Sequence, residues 1–72
     1  MVKVGDRVVI AGYPNIKTIV SRIFKEDGKG NETKWEFETA TIRLELDSGE
    51  FGKSHVNLFD ENKSWYRYSD AN

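Results

Sequence analysis

Ala40, Ile42, Leu44 and Leu46 fall on alternate positions, separated by Thr41, Arg43 and Glu45. A period of two is that of a strand with one buried and one wet face, so the spacing predicts a strand over 40–46 whose even-numbered side chains point to a core. Asp47, Ser48, Gly49 and Glu50 follow with turn chemistry: Asp and Ser bond the backbone locally, and Gly accepts positive φ. A central strand leading into a tight hairpin is the local structure around which the other segments are expected to arrange.

Upstream, Val8 and Ile10 share one parity and predict a first strand over 6–11, ended by Gly12, Tyr13, Pro14 and Asn15, since proline removes a ladder donor. Residues 17–24 are ambiguous. Val20 and Phe24 share one parity, Ile19 and Ile23 the other, and helical spacing also fits positions 16, 19, 20, 23 and 24. The β-branched content favours a strand, and a bulge near Ser21 and Arg22 would bring Val20 and Ile23 to the same side. Residues 25–34 read as a polar, glycine-containing loop. Trp35 and Phe37 are odd-numbered, so a regular strand puts both outside, whereas a bulge near Glu38 and Thr39 turns both into the core. Beyond the turn, a short return strand is expected over 50–53. A 3₁₀ turn over 54–57 follows, capped by Ser54, with Val56, Leu58 and Phe59 closing one end. Residues 64–69 predict a last strand that is aromatic on both faces, and the tail 70–72 is expected to fray.

Composition narrows the picture. Seventy-two residues make one core and bury only about 60% of the unfolded surface. With no cysteine and one histidine, neither disulfides nor a thiolate zinc site is available, and no metal or cofactor is expected. Closure of the sheet into a barrel is one way to protect so small a fold. The amino terminus has no long apolar run, so neither a secretory signal nor a membrane span is expected, and the missing cysteines fit a cytoplasmic location. The net charge of −1 argues against avid non-specific binding to nucleic acid. The charges are unevenly placed, however: residues 1–25 carry Lys3, Arg7, Lys17, Arg22 and Lys25 against Asp6 alone, and residues 26–50 carry eight acids against three bases.

Gly5, Asp6, Arg7, Val8, Val9 and Ile10, then Gly12, Val20 and Ile23, resemble the opening of an SH3-like barrel of the KOW and Tudor type. The Leu46 to Glu50 hairpin and the later Val56, Asn57 and Leu58 look like the third and fourth strands and the 3₁₀ turn of that fold. The likeness spans roughly residues 2–60. KOW motifs usually carry a glycine two residues before the position of Val20, where this chain has Thr18. The resemblance implies an all-β fold: a small SH3-like five-stranded barrel over 1–60, with a turn, an added aromatic strand and a tail over 61–72. It also implies that loops gather at one rim, where aromatic grooves bind peptides or bases.

Catalytic material is sparse. Ser54 and His55 are adjacent, and neighbours on an extended chain point apart, which is the wrong geometry for a nucleophile and its base. Glu36, Glu38, Glu45, Asp47 and Glu50 provide acids, but acids on exposed strand positions are ordinary solubility devices. Gly28 and Gly30 precede no helix, so a phosphate cradle is not expected. Binding has better material. The expected function is a non-catalytic protein-interaction module, an accessory or regulatory subunit that presents Tyr13, Trp35, Phe37 and Arg43 to a protein partner. The alternative is a nucleic-acid-binding, KOW-like domain acting in transcription or translation, using Arg7, Lys17, Arg22 and Lys25 with an aromatic ring stacked on bases. A monomer or weak homodimer is expected.

Overall fold

A computed structural model describes residues 1–34 and 41–71, with side chains to residue 69. The described residues form six strands and three short 3₁₀ turns: β1 (Arg7–Ile10), β2 (Tyr13–Glu26), β3 (Glu32–Thr33), β4 (Thr41–Asp47), β5 (Lys53–Asn57) and β6 (Trp65–Arg67), with 3₁₀ turns at Gly49–Phe51, Leu58–Asp60 and Tyr68–Ala71. The fold is all-β, as the alternation predicts. Every strand pairing is antiparallel, the strands run in the order β5-β4-β2-β1-β6, and β3 pairs with the far end of β2.

The even-numbered pattern of β4 is the inner face of the sheet. Leu44 and Leu46 are buried, as are Val8, Val20, Val2 and Trp65, with Ile10, Val56 and Leu58 packed against them. Long β2 serves the whole sheet. A straight strand of its 14 residues would run about 45 Å at roughly 3.3 Å per residue, yet the longest dimension of the molecule is 36 Å. β2 therefore bends, and its irregularities show where. Val20 pairs with Leu46 and Arg22 with Glu45, which leaves Ser21 as one extra residue. This is the bulge expected near Ser21 and Arg22. It places Ile23 opposite Leu44 on the face of Val20 and puts Arg22 and Phe24 on the other face, with Glu45 and Arg43.

Several boundaries differ from the sequence reading. Residues 25–34 are mostly a hairpin: Lys25 pairs with Thr33 and Glu26 with Glu32, around a turn held by Asp27. The Asp27 carboxylate accepts the amides of Lys29 and Asn31. These bonds, Asn31 foremost, hold its carboxyl below the usual range. The return strand and the 3₁₀ turn are displaced along the chain. Residues 49–51 form a 3₁₀ turn, β5 takes residues 53–57, and the second 3₁₀ turn lies at Leu58–Asp60. Asn57, rather than Ser54, caps that turn, accepting from the Phe59 amide at 2.8 Å. Val56 and Leu58 meet the core, but Phe59 points to solvent.

The aromatic strand joins the same sheet. β6 pairs with β1, Ile10 opposite Trp65. The Trp65 indole is 0% exposed and donates Nε1–H to the Asn57 carbonyl at 3.0 Å, as a buried indole must find a partner. Tyr68 has left the strand for the last 3₁₀ turn.

Candidate functional site

Tyr13 follows the two-residue turn of Ala11 and Gly12, which joins Ile10 to Tyr13 as a hairpin pair; Gly12 takes φ +89°. The ring stands 59% exposed. Across from it lies the turn after β4. Asp47 Oδ1 accepts the Gly49 amide at 2.9 Å, Ser48 donates its amide to the Gly52 carbonyl at 2.9 Å and Gly52 its amide to the Gly49 carbonyl at 3.0 Å. Gly49 and Gly52 both have positive φ, 65° and 90°, where an L side chain would be strained. The turn is anchored below by a buried hydroxyl pair, Thr18 Oγ1 to Ser48 Oγ at 2.8 Å. Its product is Phe51, 67% exposed on a backbone with little freedom.

Tyr13 and Phe51 line a groove of about 360 Å³ together with half-buried Ile10 and Ile16. A second groove of about 660 Å³ adjoins it through Ile16, Ser48 and Phe51, running between Asn15 and Lys17 on one side and Asp47 and Glu50 on the other. Both sizes lie in the range of roughly 300–1,000 Å³ typical of ligand sites. The lining offers two aromatic rings, apolar side chains and charges of both signs.

Of the expected partner-binding residues, Tyr13 lies at this groove. Trp35 and Phe37 lie outside the described residues, as do Glu36 and Glu38. Arg43 is half-buried on β4, its Nε 3.7 Å from Glu26 Oε1, and it lines neither groove. Of the four bases of the nucleic-acid alternative, Arg7, Arg22 and Lys25 line neither groove. Arg7 stacks on Tyr68, 3.9 Å from the ring centre. Arg22 holds Glu32 with two bonds of 2.7 and 2.8 Å. Lys25 pairs opposite Ile42, on the other face of β2 from Arg22. Lys17 alone of the four reaches the groove. Sequence reading missed Phe51 and Ile16. The signal for Phe51 was two glycines, Gly49 and Gly52, bracketing an aromatic residue, which marks a turn rather than a return strand.

A second constellation lies on the outward face of β2, β4 and β5. The Ser21 hydroxyl donates to Glu45 Oε1 at 2.9 Å, His55 Nε2 lies 3.3 Å from Glu45 Oε2, and Arg22 and Lys53 approach the same carboxylate at 3.6 and 3.8 Å. Phe24 lies beneath, its ring centre 4.3 Å from the Arg22 guanidinium and 5.0 Å from the His55 ring centre. The order is serine, glutamate, histidine. The hydroxyl donates to the carboxylate, so the imidazole is not placed to take its proton. The Ser21 hydroxyl, then His55, hold the Glu45 carboxyl below its ordinary value, against desolvation and with help from Lys53 and Arg22.

A depressed carboxyl stabilises the fold above its unfolded value of 4.5 and loses that contribution as pH falls through the folded value. We therefore expect Glu45→Gln to unfold at lower urea than wild type near neutrality, with the gap narrowing in acid. Equal gaps in urea midpoint at about pH 7 and about pH 3 would assign the loss to packing instead.

Among the described residues no group of three or more His, Cys, Asp or Glu is placed to hold a metal ion, and no helix is long and apolar enough to cross a membrane. No protein-family model, no curated protein and no solved structure matches the chain.

Proposed function

We propose that this chain is a non-catalytic protein-interaction module, an accessory or regulatory subunit whose binding surface is the groove between Tyr13 and Phe51. One observation carries the reading: two large aromatic side chains stand exposed, Tyr13 at the start of β2 just after a two-residue turn and Phe51 in a 3₁₀ turn, around a groove that Ile16 also lines. Aromatic residues so placed contribute disproportionately to protein interfaces, and fixing them beforehand lowers the entropy lost on binding. The sheet order and the 3₁₀ turn between β5 and β6 support an SH3-like barrel, with the KOW and Tudor likeness kept at the level of fold. In that reading β6 acts as the closing strand rather than as an appendage.

The test is affinity capture by wild type and by a Tyr13→Ala/Phe51→Ala double variant, with circular dichroism confirming that both are folded. Recovery of a specific protein partner is expected to fall by about thirtyfold or more in the variant, the scale of a lost hot spot. Capture indifferent to both rings would remove the groove from the function. Salt-sensitive binding to mixed oligonucleotides, weakened by Lys17→Glu, would put the nucleic-acid reading in its place.

A further inference from the structure

β5 lies at one end of the strand order, and among the described residues only β4 pairs with it. The pairing is regular from Lys53 opposite Asp47 to Asn57 opposite Arg43, with no bulge, so the strand is extended throughout. Alternate residues of an antiparallel strand direct N–H and C=O to the same side, so about half of these groups face away from β4. Among the described residues, 53–56 make no main-chain bond to a turn or loop, and the Asn57 carbonyl accepts from the Trp65 indole. Lys53, Ser54 and His55 are all exposed, although Ser54 stands opposite buried Leu46 on the core side of the sheet. Charged side chains commonly guard an edge strand, but those of β5 lean back over β4. Lys53 Nζ lies 3.8 Å from Glu45 Oε1, and His55 Nε2 lies 3.3 Å from Glu45 Oε2.

Phe51 and Phe59 stand equally far along the chain from His55, one before β5 and one after it, and both are exposed, 67% and 74%. We infer that β5 of one copy of this chain pairs with β5 of a second copy, antiparallel, about a two-fold axis at His55. The strand is its own complement in that register, as a two-fold contact requires. His55 meets His55, Ser54 meets Val56, and Lys53 of one copy meets uncharged Asn57 of the other. Beyond the strand ends, Phe51 of one copy approaches Phe59 of the other at both sides of the axis. The occupant is a second copy because the open edge and the two exposed rings are already arranged symmetrically about one residue. A strand of five residues buries less than the roughly 1,200 Å² of a standard interface, so the dimer is weak, populated at about 100 μM and above. The inference goes beyond the groove reading, and the edge shares Phe51, Lys53 and Ser54 with that groove.

The test is sedimentation equilibrium of the full chain over a concentration series, with no partner present. The mass is expected to rise from monomer toward dimer, and Phe59→Ser, which leaves the groove untouched, is expected to weaken the association by about tenfold or more. The chain has no cysteine, so a single one reports the register. Residues paired across an antiparallel ladder lie about 4.5–5.5 Å apart, within reach of a disulfide. His55→Cys is expected to give the cross-linked dimer about tenfold faster than Lys29→Cys in the distant hairpin turn, with circular dichroism confirming that both are folded. A monomer mass that holds up to about 1 mM would overturn the inference and leave the groove reading standing. So would a dimer that is indifferent to Phe59→Ser and cross-links equally from both cysteines, since its interface would lie elsewhere.

Discussion

Trp65→Ala is expected to leave the chain largely unfolded at 25 °C. Removing a fully buried indole costs roughly 3–5 kcal/mol, through lost transfer energy and the cavity left behind. At roughly 0.05–0.15 kcal/mol per residue, a chain of this length has only about 4–11 kcal/mol in total, and small domains sit low in that range. Trp65 also joins parts distant in sequence. Its backbone pairs with Ile10 of β1, and its indole nitrogen holds the carbonyl of Asn57 at the end of β5. Trp65→Phe separates the two roles: most of the ring is kept, the donor is lost, and the expected cost is about 1–3 kcal/mol. Urea unfolding followed by far-ultraviolet circular dichroism measures both. A Trp65→Ala midpoint close to wild type would mean that the core closes without this side chain.

The second large effect is expected at Thr18. The residue is 0% exposed, and its hydroxyl bonds Ser48 Oγ beneath the turn that presents Phe51. Thr18→Gly removes that partner from a buried hydroxyl, at about 1–3 kcal/mol, and adds the strand penalty of glycine, at about 0.5–1 kcal/mol. A total loss of about 2–4 kcal/mol is expected by urea unfolding. Thr18→Ser is expected to recover most of it, since the hydroxyl returns. If serine and glycine were equally damaging, the missing methyl rather than the hydrogen bond would be the cause. The same pair of variants bears on the groove, because slackening the Ser48 anchor loosens the wall that carries Phe51.

How much of this was legible depended on range. The burial of Leu44 and Leu46 follows from alternation along one strand, and the Ser21 bulge follows from the conflict of parity between Val20 and Ile23. Both are local patterns written in a few consecutive side chains. Trp65 was harder to place, because its burial is decided by pairing with β1, more than fifty residues away, and an aromatic strand with residues on both faces does not announce its partner. Phe51 was misread for a different reason. Its exposure comes from the backbone, from positive φ at Gly49 and Gly52, and a hydrophobicity pattern registers side chains only. Gly12 and Pro14 mark a break in the chain beside Tyr13, although the turn itself is Ala11–Gly12 and β2 already begins at Tyr13. The sequence shows the charge of Arg22 without showing the Glu32 and Glu45 that pair with it.

Ser21 is counted by the sequence but has no rung in the ladder. Taking it out leaves Val20 opposite Leu46, Arg22 opposite Glu45 and Ile23 opposite Leu44, at the expense of the hydroxyl bonds to Glu45 and some of the bend. Taking out Val20 instead removes a residue of the core. The middle of β2 therefore has one position where length can vary without changing which residues face inward, so an alignment gap in this strand, in any relative sharing the fold, belongs at residue 21.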